Sequence, residues 1–301
     1  MSRKIITPSD IRDHVLRLGE KHPPISLDSV DRTVLDPRGL KERFGGVIDY
    51  LARVELEVDR NVLELLTLLP DVSETDRLFY ADVWQPQEIQ HGLILDRLQQ
   101  DIDIAPADPN TDEVNGRIKL LGALAHLRPV QDVARLLYYL TGAATEKSAV
   151  LAYSSLVDGL DRVGEKAVSE TIIAPIRRQE PGHFAFYRLS ATEMVQQNVL
   201  DPWQLRLAKV LRRKSFSLVG AHTQPQRAAF GGIMHSLGFA ESEATIDDFG
   251  RQLSIVEREL LWAQHEGMRV PGYIMGALRD ALEQFRVHGS ELFSAPSPTT
   301  A

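Results

Sequence analysis

The sequence predicts an all-α protein whose core is a bundle of two long helical hairpins, and three observations carry that prediction. Apolar residues return every three to four positions over long stretches, as in Val47, Leu51, Val54, Val58, Val62, Leu65 and Leu69, the period of a helix with one buried face. Alternating runs, hairpin turn pairs and tandem repeats do not compete with that pattern. The third observation is a pair of Glu-x-x-His motifs, Glu88-Ile89-Gln90-His91 and Glu180-Pro181-Gly182-His183. Each follows another glutamate at hairpin distance, Glu55 lying 33 residues before Glu88 and Glu146 lying 34 before Glu180. A helix of about 15 residues, a turn and an equal return bring such positions to one level. With 20 Glu and 9 His in 301 residues, one Glu-x-x-His is within chance, at about 0.6 expected. Two at matching spacing coincide about once in a hundred.

In chain order, residues 1–35 read as an arm with one short helix, opened by Ser9 and closed before His22-Pro23-Pro24. The helical domain then spans 36–290. Asp36-Pro37 caps a long helix that runs to Pro70-Asp71, and Ser73 caps the next, which carries Trp84, Glu88, His91, Leu95 and Leu98. Residues 101–113, rich in Asp and Pro, read as a loop, followed by a connecting helix near 113–127. Pro129 opens a helix through Tyr139, Glu146 and Tyr153 to Val163, and a return helix runs from Glu165 to Asn198. Asp201-Pro202 caps a fifth long segment, and further helices fall near 224–237, 243–266 and 271–289. The tail, 291–301, reads as disordered.

Composition narrows the chemistry. Hydrophobic residues at 43% and charged residues at 25% are ordinary for a globular protein. A net charge of -8 argues against a nucleic-acid partner. The chain has no cysteine, so any metal must be held by carboxylates and imidazoles. No apolar run reaches membrane-spanning length and the first residues lack the apolar core of a signal peptide, so the expected location is the cytoplasm.

The motif residues point inward. Glu180 shares its helix face with Ile173, Ile176, Phe184 and Tyr187, and Glu146 shares its face with Tyr139, Gly142, Ala149, Val150 and Tyr153. A buried carboxylate needs a proton, a cation or a metal. For the first ligand, Glu55 has Ile48, Leu51, Ala52, Val58 and Val62 around it, whereas Glu57 shares its face with Arg53, Arg60 and Glu64; Glu55 is chosen and Glu57 kept in reserve. Glu55, Glu88, His91, Glu146, Glu180 and His183 are thus the proposed ligands of two divalent ions. Six O and N donors suit two iron ions, or manganese in place of one or both, rather than zinc. Pro181-Gly182 within the second motif predicts a kink or bulge at that turn. Tyr139 and Tyr153 read as core packing, and His126, His222, His235 and His265 have no partner at ligand spacing.

These residues resemble the soluble acyl-carrier-protein desaturases, a branch of the ferritin-like di-iron carboxylate proteins. Trp84 stands four residues before the first motif and Gly92 directly after it, Tyr187 stands four residues after the second, Tyr139-Leu-Thr-Gly-Ala-Ala-Thr-Glu146-Lys-Ser-Ala is similar to the family's middle segment, and so is Val210-Leu-Arg-Arg-Lys-Ser. The resemblance spans roughly residues 40–265. It implies a ferritin-like four-helix bundle with additional C-terminal helices, a di-iron centre that uses O2 as co-substrate, and oxidation of an aliphatic acyl chain by desaturation or hydroxylation. It also implies an acyl carrier protein as partner, a ferredoxin-like electron donor and a homodimer. Trp84, Gln87, Gln179 and Tyr187 are expected around the ligands, and Arg177, Arg178, Arg212, Arg213 and Lys214 as the docking site of the acidic carrier. Two departures stand out: the family's acid before each motif Glu is Gln87 or Gln179 here, and the family's threonine three residues after the middle Glu is Ala149. An arylamine N-oxygenase, whose family carries a His at the place of Ile176, and a non-catalytic metal-binding bundle are the alternatives.

Overall fold

Helix starts follow capping chemistry. Thr7 opens α1 (Pro8–Lys21) in a reciprocal pair with Asp10, so the cap lies two residues before the expected Ser9, with Pro8 setting the first turn. Asp36 accepts the Gly39 amide at the start of α2 (Pro37–Leu56), and Ser73 pairs with Asp76 to open α4 (Glu74–Arg77). The computed structural model describes residues 5–68, 71–110, 126–262, 269–289 and Phe293, and it is all-helical, with no strand among the described residues. None of its described helices is long and apolar enough to cross a membrane.

The long helix expected through residue 69 is broken at Glu57, where α2 gives way to α3 (Val58–Leu68). Glu57 is drawn between Arg53 and Arg60, and that pairing is made at the break. Next come α4, π-helical turns over Leu78–Trp84, and α5 (Gln85–Asp101) as one unbroken rod. The loop expected after it is present over 103–110, while the connecting helix expected near 113–127 lies almost wholly outside the described residues. Then follow α6 (Arg128–Val163), α7 (Lys166–Val168), π-helical turns over Ser169–Ile173, and α8 (Ala174–Gln196). The C-terminal region is α9 (Pro202–Ser215), α10 (Gln224–Ser236), α11 (Glu243–Leu253), α12 (Ile255–Leu261) and α13 (Gly272–His288). Ser254 splits the helix expected over 243–266, its hydroxyl turned back onto the Gly250 carbonyl at 2.7 Å. The tail expected to be disordered lies outside the described residues apart from Phe293.

Each motif rod carries its π-helical turns ahead of the Glu-x-x-His. The final wide-turn bonds run from the Gln85 amide to Tyr80 O and from the Ala174 amide to Ser169 O. Pro86 and Pro175, each next in sequence, have no N–H to offer. The bulge expected at Pro181-Gly182 is therefore found earlier in the rod, and α8 stays helical through Pro181. Packing holds that turn: Leu18 of α1 fills the space a Cβ at Gly182 would need.

Helices α2 and α5 pair antiparallel, Gly45 meeting Ile104 at one end and Gly92 meeting Leu56 at the other; a Cβ at Gly92 would lie 2.7 Å from the Leu56 side chain. Helices α6 and α8 form the second antiparallel pair, and α10 packs on α13. Along every rod the same sequence of layers appears. Leu51 and Ala52, Ile94 and Leu95, Ala152 and Tyr153, and Ile173 and Ile176 belong to one apolar cluster. Val58, Trp84, Leu140 and Ala143, and Phe186 and Tyr187 belong to another. Between them lies one polar layer: Glu55 on α2, Glu88 and His91 on α5, Glu146 on α6, and Glu180 and His183 on α8. Burying each large apolar side chain on either side contributes about 1.5–3 kcal/mol, so the flanking clusters hold that layer at a fixed depth.

Candidate metal centre

The structure brings all six proposed ligands together. Glu55, Glu88, His91 and Glu180 form one group, and Glu88, Glu146, Glu180 and His183 a second; within each, one potential ligand atom per residue lies within 4.8 Å of the others. Glu88 and Glu180 belong to both, so they stand where two ions would share donors. No member exposes more than 7% of its surface.

The imidazoles define what the pocket accepts. The Gln87 side-chain amide donates to the His22 carbonyl, and Gln179 Nε2 donates to the Pro23 carbonyl at 2.8 Å. A carbonyl only accepts, so each amide must turn its own oxygen inward. Gln87 Oε1 then meets His183 Nε2 at 2.5 Å, and Gln179 Oε1 meets His91 Nε2 at 2.6 Å. Both Nε2 atoms therefore carry a hydrogen, so in the neutral imidazoles Nδ1 is the nitrogen whose lone pair faces the carboxylates.

Lone pairs facing anions repel unless a positive charge lies between them. His183 Nδ1 is 2.9 Å from Glu88 Oε1, 3.6 Å from Glu180 Oε2 and 3.7 Å from Glu146 Oε2. His91 Nδ1 is 3.4 Å from Glu180 Oε1 and 3.6 Å from Glu88 Oε2. Yet both Nδ1 atoms, Glu88 Oε1 and Glu180 Oε1 are buried without a hydrogen-bond partner. Close approach without hydrogen-bond geometry is what adjacent ligands of one ion show: octahedral bonds of about 2.1 Å put neighbouring donors about 3.0 Å apart. The donor set fits divalent metal, and four carboxylates balance the charge of two such ions.

Without metal, protons must supply the charge. Burial, and then the neighbouring Glu88 charge, pushes the Glu55 carboxyl well above its usual range; burial does the same to Glu146. Burial opposes charging the imidazoles, but the negative charge of the facing carboxylates, Glu88 foremost, prevails and raises both His91 and His183, His183 strongly. Burial also opposes charge on Glu88, yet the neighbouring Glu55 carboxyl and the positive charge of His183 hold it well below its usual range.

The outer ring differs in part from expectation. Trp84 Nε1 donates to Glu146 Oε1 at 3.2 Å, and the Tyr153 hydroxyl donates to Glu55 Oε1 at 2.5 Å. Tyr153 had read as core packing, although its place seven residues after Glu146 already put it on the ligand face. Tyr187 lies one layer further out, in the aromatic cluster of Phe79, Tyr80, Tyr138 and Phe186. Glu57, the reserve ligand, turns away to Arg53 and Arg60 at 2.9 and 2.7 Å. The carbonyls of His22 and Pro23 were missed, because a backbone carbonyl has no signature in sequence.

The basic residues separate. Arg212 is only 1% exposed and its Nε donates to Glu257 Oε2 at 2.9 Å, with further bonds to Thr141 and the Leu140 carbonyl. It cannot dock a carrier: Glu257, 45 residues away, draws it inside. Arg213 and Lys214 are exposed, Arg213 lying over Trp262; Arg178 is exposed and Arg177 half-buried. A cavity of about 70 Å³ adjoins the ligands. Glu55, Glu88, Glu146 and Glu180 form one wall, and Leu51, Val54, Ala149, Phe230, Ile233 and Phe249 are among the apolar residues lining the rest. The C-terminal helices supply the last three. No family model matches the chain, and no curated protein or solved structure matches it.

Proposed function

We propose that this protein is a ferritin-like di-iron oxidase that uses O2 to desaturate or hydroxylate an aliphatic acyl chain, in the manner of the acyl-carrier-protein desaturases it resembles. The observation that carries the reading is the opening of the apolar cavity directly onto Glu55, Glu88, Glu146 and Glu180. A store or a purely structural metal site has no need of an apolar space against its ligands, whereas a substrate without polar handles does. Reduced di-iron, when bound, supplies the activation of O2 that attack on an unactivated C–H bond requires.

The residues of the chain do the rest. Glu88 and Glu180, common to both groups, would hold both ions, and Glu55 with His91 and Glu146 with His183 would complete one side each. Tyr153 and Trp84 fix Glu55 and Glu146 by donating to one oxygen of each. Leu51, Val54, Ala149 and Phe230 bind the chain and exclude water. Arg177, Arg178, Arg213 and Lys214 are the remaining candidates for attracting an acidic acyl carrier, and a ferredoxin-like protein for delivering electrons. The space beside Glu180 that an N-oxygenase's additional histidine would use is taken by Ile176, fully buried in the apolar cluster.

The test is to load the protein with ferrous iron, follow O2 consumption, and incubate the reduced form with acyl carriers. A product about two mass units lighter identifies desaturation and one about sixteen heavier identifies oxygen insertion. Iron binding with no O2 consumption supports the non-catalytic alternative instead.

A further inference from the structure

The arm before α2 follows the second motif hairpin along most of its length. The Ile6 amide donates to Gln196 Oε1 at 2.8 Å, His14 Nε2 meets the Gly182 carbonyl at 2.8 Å, Gln179 reaches Pro23 O, the Asp31 amide donates to Thr171 Oγ1 at 2.9 Å, and Glu165 accepts the Leu35 and Asp36 amides at 2.9 and 2.7 Å. As the arm advances from Ile6 to Asp36 its partners step back from Gln196 to Glu165, which is the course of a strap laid antiparallel on the rod. His14 and Leu18 already meet the ligand layer at Gly182, and at His22 and Pro23 the arm reaches the amides that face the ligand histidines. There it also crosses to the first hairpin, through Gln87.

We infer that this strap is part of the metal site. The carbonyls of His22 and Pro23, acting through Gln87 and Gln179, select which nitrogen of His183 and His91 is bare, so metal binding and seating of the arm are one coupled event. Free glutamine amides can turn either end to an imidazole. Turned the other way, each would offer N–H to Nε2, and the ring hydrogen would sit on Nδ1, where the ion must go. Two consecutive backbone carbonyls remove that choice for both ligands. The relay is crossed: the glutamine of each motif orients the histidine of the other. Gln87 and Gln179, fully buried and 3% exposed, are positioning residues, and their effect is exerted through the imidazoles. Because coupling is reciprocal, whatever the seated arm adds to metal affinity the metal must return as protection of the arm.

This inference rests on the site holding metal and is independent of the oxidation proposed for it. Its test uses full-length protein, Mn(II) alone as probe, and two substitutions at one position. Gln179→Met can neither accept from His91 nor donate to Pro23. Gln179→Glu still accepts from His91 but presents an anion to the Pro23 carbonyl. In the unsubstituted protein, Mn(II) should slow hydrogen exchange at the amides of residues 20–30. Gln179→Met should bind Mn(II) about 10- to 100-fold more weakly, with arm exchange fast whether metal is present or not. Gln179→Glu should bind Mn(II) at least as well as the unsubstituted protein, while its arm no longer responds to the metal. That pattern separates orientation of the ligand from a general loss of packing, which both substitutions would cause alike. The inference is overturned if Mn(II) binds the unsubstituted protein and leaves arm exchange unchanged, or if Gln179→Met retains full affinity. Failure of Mn(II) to bind the unsubstituted protein at all overturns the metal reading beneath it.

Discussion

Glu55 and Glu57 stand two residues apart on neighbouring turns, both buried, and meet the cost of burial in opposite ways. Glu57 is held by two guanidinium groups, and Glu257 likewise by Arg212 at 2.9 Å and the Tyr273 hydroxyl. Glu55 joins three other carboxylates and two imidazoles, and among the described residues no lysine or arginine forms an ion pair with any of the four. Where the protein supplies its own cation, the buried carboxylate is structural. Where it supplies none, the missing charge is the role left for a ligand.

Substitutions can break that contrast. The largest effect is expected at the shared donors: Glu88→Ala or Glu180→Ala should abolish binding of both ions, whereas Glu55→Ala or Glu146→Ala should leave about one per chain, as counted by metal analysis after anaerobic reconstitution. Next is the paired cluster. Arg212→Ala strands Glu257 in the interior and should cost about 3–5 kcal/mol of stability by denaturant titration, with metal content per folded chain unchanged. A carrier-docking role for Arg212 would have given the reverse, unchanged stability and weaker carrier binding.

A pH series sharpens the comparison further. The metal-free pocket holds Glu55 and Glu146 above their ordinary 4.5, and His91 and His183 above 6.5. The folded chain therefore binds more protons than the unfolded one as pH rises past each ordinary value, and the stability these groups contribute at low pH is lost as pH climbs through their folded values. Glu88 works the other way, its contribution present at neutral pH and lost on acidification. With four groups against one, the thermal midpoint of metal-free protein should fall between about pH 6 and pH 8. Saturating Mn(II) should reverse that slope, because the ion replaces the protons it displaces. The smallest effect concerns the metal-free fold alone: Glu55→Gln removes a carboxyl from a crowded anionic site and should raise its thermal midpoint by a few degrees, about 1 kcal/mol, while lowering metal content.

What the sequence disclosed follows from the range of the interactions. The inward face of each ligand and the choice of Glu55 over Glu57 depend on residues within two turns of one helix, so periodicity exposes them, and the hairpin spacing follows from counting along two helices and their connection. Arg53 and Arg60, which settle that choice, are three or four residues from Glu57. Arg212 was misread because its partner Glu257 is brought to it only by the packing of α9 and α12 on α6. The arm carbonyls were silent for a different reason, since any residue carries one, and only the fold decides which face a buried amide. Phe230, Ile233 and Phe249 of the cavity belong to helices whose pattern announces burial but not against what.

The most direct measurement is an anomalous-difference map at the iron edge from crystals of protein reconstituted with Fe(II). Two peaks about 3.5–4 Å apart should lie between Glu88 and Glu180, one flanked by Glu55 and His91 and the other by Glu146 and His183. No peak within these six residues, or iron bound only elsewhere on the molecule, would contradict the account.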